Sequence, residues 1–86
     1  MVDVELTLVG KPGCHLCDDA RTVVEQVVAD LGSEASVAVS EVSILDDPEL
    51  HERFVEEIPV VLIDGRVHTF WRVDPVRLRR ALLDRG

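Results

Sequence analysis

The order of apolar patterns along this 86-residue chain predicts an α/β fold, β-α-β-α-β-β-α, with a mixed four-stranded sheet and helices on both faces. Three observations lead there. A strand with period-two alternation is followed by a long helical pattern and a second strand, a unit that favours parallel pairing with a right-handed crossover. Asp64-Gly65 sits between two short strand-like runs and signals a two-residue hairpin, which adds antiparallel strands. Asp47-Pro48 and Asp74-Pro75 each place a capping Asp before a Pro in the first turn of a further helix.

The first strand is carried by Val4, Leu6 and Leu8, with Val2 before them, alternating with Asp3, Glu5 and Thr7. Lys11-Pro12-Gly13 ends it. Leu16, Ala20, Val23, Val24, Val27, Val28 and Leu31 then recur at the spacing of one buried helix face, and Gly32 stops the helix. Ser36 to Leu45 reads as the second strand, with Val37 and Val39 and then Val42 and Ile44. In the short helix after Asp47, Leu50, Phe54 and Val55 form the apolar face. Ile58-Pro59 interrupts the chain before the third strand, Val60 to Ile63, and Arg66 to Phe70 returns as its hairpin partner. Leu78, Ala81 and Leu82 line the last helix.

Length and composition bound the function. Residues 1–86 make a single domain, and 47% apolar content suffices for a packed core built mainly from Val and Leu. A net charge of −8 argues against nucleic acid and against an anionic membrane surface. The basic residues Arg77, Arg79, Arg80 and Arg85 read as a solvated helix face that complements the helix dipole. The acidic start lacks the pattern of a signal peptide, and no apolar run approaches the ~20 residues that span a bilayer. The expectation is a cytoplasmic monomer, in a reducing compartment where a close cysteine pair is more often catalytic or metal-binding than a structural staple.

Cys14-His15-Leu16-Cys17 lies where the first strand hands over to the first helix. Unpaired backbone N–H groups and the dipole favour negative charge at a helix start, hence thiolate over thiol at Cys14, and a thiolate is the nucleophilic form of a cysteine. Cys17 follows one turn later on the same side, within reach of a disulfide. Lys11 and a protonated His15 would support a thiolate, whereas Asp18 and Asp19 would oppose it if close. Two other readings use the same residues. A zinc or iron–sulfur site needs further ligands, and His15, His51 and His68 are the candidates. A non-catalytic interaction module would rely on Trp71 and the acidic surface.

With Cys14-His15-Leu16-Cys17 after the first strand, Ile58-Pro59 before the third and the Asp64-Gly65 hairpin, the chain resembles the glutaredoxin-like branch of the thioredoxin superfamily over nearly its whole length. The resemblance implies a thiol–disulfide oxidoreductase in which Cys14 attacks and Cys17 resolves. It implies a cis Ile58-Pro59 bond facing the cysteines, with the backbone there aligning substrate as an added strand. Lys11 matches the family lysine that contacts a glutathione carboxylate, and Asp74 matches its capping Asp. Phe70-Trp71-Arg72-Val73 stands where the family carries a Gly-Gly pair, so Trp71 and Arg72 reshape the glutathione groove. His15-Leu16 replaces the usual Pro-Tyr. No bound cofactor is expected. Glutathione is a candidate co-substrate, a protein disulfide or small thiol the substrate, and a reductase or glutathione the electron donor.

Overall fold

The computed structural model describes residues 4–85; Val2 and Asp3, read above as part of the first strand's pattern, and the side chain of Arg85 lie outside the described residues. The elements follow the predicted order: β1 (Val4–Gly10), α1 (His15–Leu31), β2 (Val37–Ser43), α2 (Pro48–Phe54), β3 (Val60–Ile63), β4 (Arg66–Phe70) and α3 (Pro75–Arg85). They form one four-stranded sheet in the order β2-β1-β3-β4. β1 and β2 are parallel, while the β1–β3 and β3–β4 pairs are antiparallel.

Alternation along the two central strands divides the core. Leu6 and Leu8 of β1 and Val61 and Ile63 of β3 pack with Val24, Val27 and Leu31 of α1 and with Leu78 and Leu82 of α3. On the opposite face Val9 and Val60 pack with Ile44 and with Phe54 of α2. Helices therefore cover both faces, α1 with α3 on one and α2 on the other. Leu6, Leu31, Leu78 and Leu82 are fully buried, and burial of a side chain of this size contributes about 1.5–3 kcal/mol.

Local chemistry sets the boundaries. Asp47 Oδ1 accepts from the amides of Glu49 (2.9 Å) and Leu50 (3.5 Å), and Asp74 Oδ1 from those of Val76 (2.9 Å) and Arg77 (3.2 Å). Gly32 ends α1 at φ 53°, its N–H returning to Val28 O. Asp64 and Gly65 both have positive φ, as the two-residue hairpin requires.

Four details correct the sequence reading. β2 is shorter than Ser36–Leu45 and is an edge strand whose Val39 faces solvent. Val55 caps the C-terminus of α2 and is exposed, so Leu50 and Phe54 alone form that helix's apolar face. Leu16 is exposed, and Cys17 takes the buried place at the start of α1. Arg77 occupies the first turn of α3, the end where a helix dipole does not favour a cation, and Arg79 instead pairs with Glu34 at 3.1 Å. Among the described residues no helix is long and apolar enough to cross a membrane.

Candidate active site

The site forms at the end of the sheet where β1 finishes and β3 begins. In register Gly10 lies opposite Ser43 of β2. β1 and β3 pair from Leu6↔Ile63 to Val9↔Val60, so the next position brings Pro59 opposite Gly10. Trp71 follows on the far side, its N–H donating to Pro59 O at 2.8 Å. A row of Ser43, Gly10, Pro59 and Trp71 thus crosses the sheet end. The Ile58-Pro59 bond is cis and Pro59 is buried.

Cys14 is the N-cap of α1, with extended backbone, and its Sγ accepts the N–H of Cys17 at 3.2 Å. The sulfur takes the place that a carboxylate takes in Asp47 and Asp74, accepting from the third residue of the helix. Negative charge is favoured at that position by the unpaired N–H groups and the dipole. Cys14 is partly exposed, whereas Cys17 is buried, and both are free thiols.

Cys17 rests against the backbone of β1. A Cβ on Gly10 would lie 2.9 Å from Cys17 Sγ and 3.2 Å from its Cβ. Only a glycine leaves the Cys17 side chain where it is, a requirement the sequence reading missed. The available signal was an isolated glycine ending a strand pattern, which often marks close approach of another group.

Burial pushes the Cys17 thiol up from 9.0 to about 11; its side-chain hydrogen bond with Cys14 adds to this, and a backbone hydrogen bond from Lys11 opposes it. Two outcomes follow. At pH 8 roughly one Cys17 in a thousand is thiolate, so iodoacetamide labels Cys14 well before Cys17, as peptide mass mapping will read. The unfolded chain releases the proton near 9.0 and the folded chain only near 11. The stability contributed by the protonated thiol is therefore full below pH 9 and is lost as pH rises toward 11. Cys17→Ala flattens that part of the urea-stability profile.

Two clefts flank the start of α1. One, of ≈ 350 Å³, is lined by Gly10, Lys11, Cys17, Asp18, Arg21 and Glu41, among others. Arg21 holds Glu41 through Nε and Nη2 and holds Asp18 Oδ1 through Nη1 at 3.0 Å, tying α1 to β2. The second, of ≈ 370 Å³, lies between Leu16, Ala20 and Val23 of α1 and Trp71, Arg72 and Val73. Trp71 is 56% exposed and so is not a core residue. Its φ is +62°, its Nε1 donates to Glu56 O at 3.2 Å, and its ring is tilted against Phe70.

Of the residues singled out from sequence, Cys14 and Cys17 come together through the 3.2 Å contact, and Lys11 joins Cys17 at the first cleft. Pro59 and Trp71 are linked through the backbone. His15 is exposed in the first turn of α1. Ile58 is half-buried, and its N–H donates to Phe54 O at 3.1 Å. Asp74 caps α3. His15, His51 and His68 sit on α1, α2 and β4, and among the described residues no three His, Cys, Asp or Glu side chains gather as a metal-binding group.

Known proteins share the family and the fold of this chain. The family model described as a glutaredoxin-like domain (DUF836) matches residues 5–83. The X-ray structure of XcR50 from X. campestris is 36% identical, with a TM-score of 0.71 over 94% of this chain and 97% of that one. The uncharacterized protein Rv0508 of Mycobacterium tuberculosis is 32% identical over 76 residues, 87% of this chain and 78% of its own length. Mitochondrial thioredoxin 3 from Saccharomyces cerevisiae, in its oxidized form, shares the fold at 14% identity, with a TM-score of 0.69 over 98% of this chain and 80% of that one.

Proposed function

This chain belongs to the glutaredoxin-like domain family and shares the thioredoxin fold, and on that premise we propose that it is a dithiol–disulfide oxidoreductase. The observation that carries the reading is the pairing of a partly exposed Cys14 sulfur at the helix N-cap with a buried Cys17 whose N–H points at it. Cys14 thiolate attacks one sulfur of a substrate disulfide; that S–S bond breaks and half of the substrate leaves as a thiolate, which takes up a proton. Cys17 then attacks the Cys14 sulfur of the mixed disulfide. The second half leaves, the Cys14–Cys17 disulfide forms, and two electrons have passed to substrate. A reductase or glutathione returns the electrons, and the setting is the cytoplasm, where the thiol pool keeps such pairs reduced.

Ile58 and Pro59 border the bound substrate. The Ile58 N–H is already used by Phe54 O, and among the described residues no hydrogen bond reaches Ile58 O. An added substrate strand therefore docks through that carbonyl. Lys11 supplies a cation beside the cysteines, and Trp71 walls the opposite side. The test is reduction of a model disulfide, driven once by glutathione with its reductase and once by a thioredoxin reductase system. Turnover with one of them is expected; turnover with neither sinks the proposal.

Trp71 sets how freely glutathione enters. A non-glycine residue at φ +62° costs about 1–2 kcal/mol, so Trp71→Gly relieves strain. It also loses the Nε1 bond to Glu56 O, about 1 kcal/mol, and adds unfolded-state freedom, about 0.5–1 kcal/mol. These nearly cancel, so the melting temperature should change by less than about 5 °C, while glutathione-driven turnover rises severalfold. An unchanged glutathione rate would mean that Trp71 does not wall the groove.

A further inference from the structure

The arginines of α3 are not explained by the helix that carries them. A helix dipole favours cations in the last turn, yet Arg77 lies in the first turn and Arg79 and Arg80 in the middle. Ion pairing accounts for Arg79, which holds Glu34 with both side chains open to solvent. Among the described residues no ion pair reaches Arg77 or Arg80. Arg77 instead lies near a base: burial first, and then the Arg77 charge, push the His68 imidazole down. Val76, Arg79, Arg80 and Leu83 recur at i, i+3, i+4 and i+7 and so share one face of α3. That face lies opposite the one that buries Leu78 and Leu82 in the core. Val76 is 65% exposed and Leu83 38%. With Asp84 these four residues line a shallow concavity of ≈ 270 Å³.

We propose that this outer face of α3 is a docking surface for an acidic amphipathic helix of a partner protein. Charge complementarity selects the occupant. Residues 75–84 carry three arginines against one carboxylate, in a chain whose net charge is −8. The arginine stems extend the apolar surface between Val76 and Leu83 while their heads stay in water. Aliphatic side chains of the partner fill the concavity, and carboxylates at its rim meet the Arg79 and Arg80 guanidinium groups, which suit bidentate contact. Arg79 exchanges Glu34 readily, because a solvent-exposed pair of this kind holds weakly. From Val76 to Leu83 the stripe is about two helical turns long, the length over which a docked helix sets anchors at the same i, i+3 or i+4, i+7 spacing. A nucleic acid or an anionic bilayer extends far beyond such a stripe and meets the acidic remainder of the chain; a single helix does not. The inference is independent of the roles assigned to Cys14 and Cys17.

The probe is a stapled helical peptide with leucines at i, i+3 and i+7 and glutamates beside them, titrated into the full chain labelled with nitrogen-15. Amide shifts should concentrate in residues 75–84. Arg80→Glu should weaken binding at least about tenfold, because like charges then meet across the contact. A peptide with lysines in place of the glutamates should bind the Arg79→Glu, Arg80→Glu double variant better than it binds the unsubstituted chain, since the charges are exchanged on both sides. Arg80 is exposed, so Arg80→Glu should keep the melting temperature within a few degrees and leave disulfide reduction unchanged. Absent shifts, shifts centred on the cleft between Leu16 and Trp71, or equal affinity for the glutamate and lysine peptides overturns the proposal. Shifts in 75–84 that grow with protein concentration alone assign the face to a second copy. Equal shifts from phosphatidylglycerol vesicles assign it to a bilayer. Either result overturns the acidic helix as the occupant and leaves the oxidoreductase reading untouched.

Discussion

Cys14→Ser is expected to slow disulfide reduction by at least about a thousandfold, because a serine hydroxyl forms no nucleophilic anion near neutral pH whereas a cysteine does. The fold should be nearly untouched. Cys14 caps α1 by accepting the Cys17 N–H, and serine is itself a preferred N-cap. Far-ultraviolet circular dichroism and the melting temperature should therefore match the unsubstituted protein within a few degrees. Cys17→Ser behaves differently. The first attack proceeds, and the protein stalls as a mixed disulfide on Cys14, visible as an adduct in the intact mass. An unaltered rate in Cys14→Ser would remove the nucleophile from the account altogether.

Gly10→Ala should be the most damaging small change near the site. The new methyl would stand 2.9 Å from Cys17 Sγ and 3.2 Å from its Cβ, and the start of α1 cannot lift away without breaking the packing of Ala20 and Val24 on β1. Overpacking of this kind costs about 1–3 kcal/mol, or roughly 4–8 °C in melting temperature per kcal/mol for a domain of this size. Disulfide closure should slow as well, since the displaced sulfur is Cys17. A double-mutant cycle isolates the cause. In a Cys17→Ala background the sulfur is gone, and Gly10→Ala should cost at least about 1 kcal/mol less in urea unfolding. Equal costs in the two backgrounds would place the strain elsewhere.

Much of this was legible from sequence because the signals are local. Period-two alternation in β1, the helical spacing from Ala20 to Leu31, the Asp64-Gly65 turn and the two Asp-Pro starts each act within a few residues, and the structure uses each of them as read. The Cys14–Cys17 pair was legible for the same reason. What was missed depends on tertiary neighbours. Leu16 and Val55 fit their helical stripes but lie where those helices run past the edge of what they cover, so both are exposed. Val39 of β2 looks like core until the topology makes that strand an edge, whereas Val37 and Val42 do pack against the core clusters. The role of Gly10 appears only when α1 is laid on β1. Arg21 looks like an ordinary helix-surface residue until the parallel crossover brings Glu41 beside it. Trp71 could be read as core packing or as a groove wall, and its 56% exposure excludes the first.

The central claim is that Cys14 and Cys17 cycle between a dithiol and a disulfide while reducing a substrate. It is tested most directly by intact-mass analysis of reduced protein after one equivalent of a disulfide substrate, without reductant, followed by peptide mapping. The account predicts a protein lighter by two hydrogens, with Cys14 and Cys17 joined within one peptide and two substrate thiols released. Release of both thiols with the two cysteines still free, or a lasting adduct on Cys14 that Cys17 never displaces, would contradict it.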